Sequence, residues 1–274
     1  MPGRETEEDE PMAQGKPKAS APEPGLVAAR VGRLSGGQGQ DWVAEEVPVA
    51  LVYNGISHAV MMASPLDLED FALGFSLTEG IVERPGQVYG VEVKADPRGL
   101  RLEIELAAEC FFRLKARRRS LSGRTGCGLC GTESLAEAVA PVCAVSPGPV
   151  PERAVIDRAF AELRHQQPLH YQSGATHAAA GFDGEGNLLA AREDVGRHNA
   201  LDKLVGALAR LQVTPAFVIV TSRASYEMVH KCAVLGAATL VAVSAPTSLA
   251  IDQARAAGLN LIGFARHGDG VIYT

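Results

Sequence analysis

The chain has 274 residues, of which 46% are hydrophobic, and its 32 acidic against 26 basic residues leave a net charge of −6. That apolar share suits one large or two modest domains and excludes wholesale disorder. The apolar runs all fall short of the roughly 18 residues of a membrane span, and the acidic, proline-rich start lacks the basic opening and apolar centre of a signal peptide. A cytoplasmic protein with neither membrane nor nucleic acid as partner is therefore expected.

Residues 1–25 are poor in large apolar side chains, which predicts a disordered acidic tail. Val47 to Tyr53 and Ile56 to Met62 are strand-like, and Asn54-Gly55 between them is a strong hairpin signal. Ser64-Pro65-Leu66-Asp67 predicts a helix start: Ser64 caps, Pro65 fits the first turn, and Asp67 completes a capping box. Leu68, Phe71 and Phe75 form its apolar side, and Gly80 can end it. Leu100, Leu102, Ile104 and Leu106 alternate with Arg101, Glu103 and Glu105, the pattern of a strand buried on one face. Residues 26–140 thus read as a small α+β domain that ends in a mobile, glycine-flanked cysteine loop.

Residues 141–274 alternate regularly. A helix from Glu152 to Gln166 leads to strands Thr176 to Phe182 and Asn187 to Arg192. The helix Gly196 to Leu211 turns Val195, Leu201, Leu204, Val205, Leu208 and Leu211 inward. Strand Phe217 to Thr221, helix Ser225 to Ala237, strand Leu240 to Ser244, helix Ser248 to Ala257 and strand Asn260 to Phe264 follow. Such alternation predicts a three-layer α/β domain: a mostly parallel sheet with helices on both faces.

Chemistry concentrates in a few segments. Cys127 and Cys130 stand three apart among glycines, just after Arg113, Lys115, Arg117, Arg118, Arg119 and Arg124. Positive neighbours favour the reactive thiolate. Cys110, Cys143 and Cys232 have apolar neighbours and read as packed thiols. Ligands of α/β sheets gather beyond strand ends, where Ser173 to His177, Glu193 to Asn199 and Thr221 to Ser225 are expected to lie. The last combines hydroxyls, Arg223 and free helix amides, an anion-binding arrangement. His198 and Asp202 share a helix face, read either as a surface pair or as part of a site. Phe264-Ala265-Arg266-His267-Gly268-Asp269 follows the final strand and reads as a turn or as a nucleotide clamp.

The cysteine pair admits several uses. Structural zinc wants four Cys or His ligands, and a second pair is missing from the sequence. A thioredoxin-like pair should follow an apolar strand, and here arginines and glycines precede it. A zinc deaminase needs His-x-Glu ahead of its cysteines, whereas Ala178 and Ala179 follow His177 and the pair comes first. A lone histidine could still add to a zinc site, and a fourth reading is a sulfur carrier, with one cysteine holding a persulfide and the other protecting or resolving it.

Taken together, the stretches Arg124 to Gly131, Gly174 to Ala178, Arg192 to Lys203, Thr221 to Lys231 and Gly263 to Gly268 resemble the formate dehydrogenase accessory sulfurtransferase family, FdhD. The resemblance implies a cytidine-deaminase-like C-terminal fold without zinc and a homodimer. It also implies sulfur transfer from a cysteine desulfurase to the molybdenum (or tungsten) bis-guanine-dinucleotide cofactor, ahead of that cofactor's entry into formate dehydrogenase. On it Cys127 carries the persulfide and Cys130 assists. Phe264, Ala265, Arg266, His267, Gly268 and Asp269 contact the cofactor, with His177, Arg197, His198, Ser222 and Arg223 as further pocket residues and no resident metal. Asp269 departs from the family pattern, which has a basic residue there. Two readings compete with sulfur transfer: a cofactor-binding chaperone for a metalloenzyme without sulfur chemistry, and a zinc-stabilised nucleotide-binding protein.

Overall fold

The computed structural model describes residues 22–121, 142–266 and 268–274. Two antiparallel hairpins open it. β1 (Leu26–Gly32) pairs with β2 (Gln38–Ala44) as a separate two-stranded ribbon. β3 (Val47–Tyr53) and β4 (Ile56–Ala63) turn at Asn54 and Gly55, whose φ values of 45° and 80° are those of a type I′ turn. β5 (Val88–Asp96) and β6 (Gly99–Leu106) complete a four-stranded sheet in the order β4-β3-β6-β5. The predicted alternation holds: Val49, Leu51, Tyr53, Leu102 and Ile104 are all buried. They pack against Phe71 and Phe75 of α1 (Leu68–Thr78) and against Cys110 and Leu114 of α2 (Ala108–Leu121). Each such buried side chain contributes roughly 1.5–3 kcal/mol.

The start of α1 differs from expectation. Asp67 is its N-cap residue, but in the left-handed region at φ 52° and with no side-chain cap bond. Ser64 does not cap it either, because its backbone and hydroxyl are bonded across the molecule to Asp194, Val195 and Lys203. Tertiary partners outcompete the local cap. The C-terminus behaves as read: Gly80, at φ 62°, follows the last turn and donates to Leu77.

The rest of the chain forms three layers around a six-stranded sheet. Its strands are β7 (His177–Phe182), β8 (Leu188–Asp194), β9 (Phe217–Val220), β10 (Thr239–Ala242), β11 (Asn260–Arg266) and β12 (Asp269–Ile272). Their order is β12-β11-β10-β9-β7-β8. α3 (Arg153–His165) covers one face, where Ala159 and Leu163 meet Ala180, Phe182, Phe217 and Ile219. The short α4 (Pro168–Ser173) precedes β7. α5 (Arg197–Leu211), α6 (Tyr226–Leu235) and α7 (Ser248–Ala257) cover the other face. The sheet is mixed rather than mostly parallel: among its described neighbouring pairs, β9-β10 and β10-β11 are parallel and the other three are antiparallel. The Asp183–Asn187 turn makes β7 and β8 a hairpin, which forces antiparallel pairing there.

Two close approaches join the layers to the first unit. α1 crosses α5 at Gly74 and Gly206, where any Cβ would overlap the carbonyls of Asp202 and Asp70. Around that crossing lie buried ion pairs. Lys203 Nζ is 2.7 Å from Asp194, both fully buried, and Lys231 Nζ is 2.8 Å from Asp202. Asp202 is therefore a core residue, not the surface partner of His198. Two smaller expectations also fail: Leu211 is exposed in the final turn of α5, and Cys143 is exposed, while Cys110 and Cys232 are buried.

Candidate functional site

The alternating directions of the six strands bring the chemically loaded segments to one edge of the sheet. β9, β10 and β11 are parallel, so their C-terminal ends share that edge. β7 is antiparallel to β9, so its first residue, His177, lies there too. β8 reverses again, so Asp194 and the following Arg197 and His198 emerge beside it, with His177 in register with Asp194. Thr221, Ser222 and Arg223 leave β9, Val243 and Ser244 leave β10, and Phe264 stands near the end of β11. Backbone bonds stitch these loops together: Thr221 donates to Ala178, Val243 to Val220, and Phe264 to Ser244.

On the α3 side of this edge opens a cavity of about 450 Å³. Its floor is apolar, from Phe160, Leu163 and Val243, and its rim is polar, from Arg164, Gln167, His170, Thr176, His177 and Thr221. Burial, then the neighbouring Arg197 and His170, push the His177 pKa below its ordinary value, which favours neutral imidazole. His170 shares a hydrogen bond with the Thr176 carbonyl at 2.9 Å, which fixes its ring beside the opening.

On the opposite face, the first turns of α5 and α6 meet. His198 Nε2 lies 3.8 Å from Glu227, whose carboxylate accepts from Ser225 Oγ at 2.7 Å. Burial, and next to it the charge of Arg197, bring the His198 pKa down to about 4. Arg197 Nε and His198 Nε2 are buried and make no hydrogen bond. Orphaned polar atoms of this kind are uncommon and suit an incoming polar group.

The glycine-rich segment at the end of β11 has its own geometry. Phe264 adopts φ 54°, unusual for an aromatic residue, at a register shift between Gly263 and Arg266, and its side chain is half-exposed. Strain of about 1–3 kcal/mol is typical of such positions and concentrates at ligand sites. Ala265 instead turns into the core beside Val241 and Ile262. Arg266 is exposed. Gly268 has φ 72°, and a Cβ there would meet the Arg153 guanidinium. Asp269 accepts the Gly270 N–H at 2.8 Å, so its carboxylate caps a turn and gives a local reason for an acid at this position. Cys127, Cys130, Arg124 and His267 lie outside the described residues.

The site thus gathers His177, Arg197, His198, Ser222, Arg223 and Phe264 along one edge. It adds His170, Gln167 and Arg164, which sequence reasoning did not single out, beside Thr176 of the expected Ser173 to His177 segment. Gln167 to Ser173 lacked both a strand pattern and a helix long enough to read. Within Glu193 to Lys203, the residues divide by role. Glu193, Asp194, Asn199, Asp202 and Lys203 are buried in hydrogen bonds or ion pairs, leaving Arg197 and His198 at the edge.

The FdhD/NarQ family matches residues 44–274. A protein of Bordetella petrii described as sulfur carrier protein FdhD is 54% identical over 252 residues, covering 91% of this chain and 90% of its own. One of the same description from Cupriavidus necator is 57% identical over 240 residues, covering 85% and 82%. The crystal structure of a candidate formate dehydrogenase accessory protein from Desulfotalea psychrophila superposes with a TM-score of 0.72 at 25% identity, over 91% of this chain and 96% of that one.

Proposed function

This chain belongs to the FdhD/NarQ family, and from that premise we propose that it is a sulfur carrier in formate dehydrogenase maturation. Cys127 takes a sulfane sulfur from a cysteine desulfurase and delivers it to the molybdenum bis-guanine-dinucleotide cofactor, which is the acceptor substrate. The protein acts as a homodimer. One observation carries the reading: His177, Arg197, His198, Thr221 to Arg223 and Phe264, which come from four separate strand ends, line a single edge beside a cavity of about 450 Å³.

In the first step the Cys127 thiolate attacks the terminal sulfur of the donor persulfide. One S–S bond forms, one breaks, and the donor cysteine leaves as thiolate, so there is no net oxidation. The arginines around Cys127 favour both the attacking thiolate and the persulfide anion that follows. Cys130 assists in receiving or releasing the sulfur. At the edge, Phe264 offers an exposed ring for stacking on a purine. The unbonded Arg197 Nε–H offers a donor to an anionic oxygen, and the neutral imidazoles of His177 and His198 offer hydrogen bonds without adding charge.

The test uses the purified chain incubated with desulfurase and cysteine. Intact-mass spectrometry should show one added sulfur atom on wild type and none on Cys127→Ala, and the variant should fail to support formate dehydrogenase activity. Full sulfur gain by the variant refutes the assignment of the carrier. Full support of the dehydrogenase without sulfur gain favours the chaperone reading instead.

A further inference from the structure

Four acidic side chains are buried among the described residues, namely Asp70, Glu193, Asp194 and Asp202. Three have a cation in contact: Asp70 has Arg192 and Arg210, Asp194 has Lys203, and Asp202 has Lys231. Glu193 is held by N–H and O–H donors instead. Oε2 accepts the Leu169 N–H at 2.8 Å, while Oε1 accepts the His170 N–H at 2.9 Å and the Thr176 hydroxyl at 2.8 Å. Burial of the charge raises its pKa, and these three bonds oppose the rise. A buried carboxylate with no lysine or arginine in contact, and with His170 as its nearby ionisable group, is costly, so its partners indicate what it is there to hold.

Two of the three partners, His170 and Thr176, line the cavity, and Leu169 precedes His170 in α4. Gln167, His170, Gly174, Ala175, Thr176 and His177 supply one wall, six of the eleven lining residues. Six-residue α4 is too short to stand alone, and only Leu169 of it is buried. Its first amides end on Glu193, and the strand that follows is tied to the same carboxylate through Thr176. His170 then bonds the Thr176 carbonyl, which closes the segment on itself.

We propose that Glu193 is a positioning residue for the cavity: it sets α4 and the Gly174–His177 loop, and so aims His170 and His177 at a bound ligand. This rests on the reading that the cavity receives part of the guanine-dinucleotide cofactor. Glu193→Gln separates positioning from folding. It keeps shape and one acceptor oxygen, removes the buried charge, and leaves the Leu169 or the His170 amide without an acceptor.

The expected result has three parts. The melting temperature stays within about 3 °C of wild type. Hydrogen exchange at the Leu169 and His170 amides speeds up about tenfold, the effect of one lost hydrogen bond. Affinity for GDP, used as the probe for one half of the cofactor, weakens about tenfold by calorimetry, while the same protein still gains sulfur from the desulfurase. Unchanged amide exchange together with unchanged GDP affinity overturns the proposal. So does a melting temperature that collapses along with the affinity, since Glu193 then serves only the fold. Wild-type protein that takes up no GDP overturns the cofactor reading of the cavity, and the exchange rates still decide the role of Glu193.

Discussion

Removing the lysine of the innermost ion pair, Lys203→Met, tests how the two units are held together. Lys203 and Asp194 are both fully buried with 2.7 Å between Nζ and Oδ2. Lys203 also donates to the Ser64 carbonyl at 3.0 Å, while Asp194 accepts from Ser64, Gly196 and Asn199. Asn199 in turn donates to the Met62 carbonyl at 2.8 Å, so the network spans the junction of the first unit with α5. Methionine fills a similar volume, which keeps the cavity term small. The carboxylate keeps its N–H donors and loses its countercharge, a loss worth about 3–5 kcal/mol in comparable buried pairs. Against a total stability of about 5–15 kcal/mol this is roughly a fifth or more. Urea unfolding followed by circular dichroism should show that loss. The double variant Asp194→Asn, Lys203→Met should recover part of it, because no uncompensated charge remains. A loss below about 1 kcal/mol for Lys203→Met refutes the reasoning, since an orphaned buried carboxylate cannot be that cheap.

Two further outcomes follow from the same geometry. Gly206→Ala places a methyl against the Asp70 carbonyl and should cost about 3 kcal/mol, the upper range for overpacking. Gly86→Ala, which meets nothing within 4 Å, is the control, and equal melting temperatures for the two variants would contradict a tight α1–α5 crossing. His198, with its pKa lowered to about 4, should show no imidazole titration by NMR between pH 6 and 8. Its folded pKa lies below the unfolded value, so its share of stability is intact above about pH 6.5 and is lost as pH falls towards 4. Wild type should therefore weaken more than His198→Gln across that window. A His198 midpoint near 6.5 contradicts the burial argument.

The elements legible in the sequence were those with one strong local signal. Asn54-Gly55 fixed a hairpin, Leu100 to Leu106 announced a half-buried strand, and the apolar runs at Phe217 and Leu240 marked the central strands of the large sheet. What stayed hidden depended on partners elsewhere in the chain. Ser64 has every attribute of an N-cap, yet Asp194, Val195 and Lys203, about 130 residues away in sequence, claim its polar atoms. α2 offered an apolar face only about one turn long, Cys110, Phe111 and Leu114, ahead of a run of arginines in the sequence. β1 and β2 alternate weakly because they form a ribbon with little core behind it. Antiparallel pairing of β7 with β8 was implicit in the short Asp183–Asn187 turn, whereas the antiparallel pairing of β7 with β9 had no such local signal.

The site was legible as segments but not as a division of labour. Glu193 to Lys203 looked like a continuous recognition motif, and a motif rich in ionisable groups invites every member to be placed against a ligand. Helical geometry separates them. Asn199 turns towards Met62, Asp202 towards Thr78 of α1 and Lys203 towards buried Asp194, while Arg197 and His198 in the same first turns remain at the sheet edge with orphaned nitrogens. The buried members cannot reach a ligand, yet they decide where α5 begins, and the start of α5 decides where Arg197 and His198 stand. Losing Lys203 should therefore weaken the fold first and the site through it. Losing His198 should spare the fold near neutral pH and change only what the edge can hold.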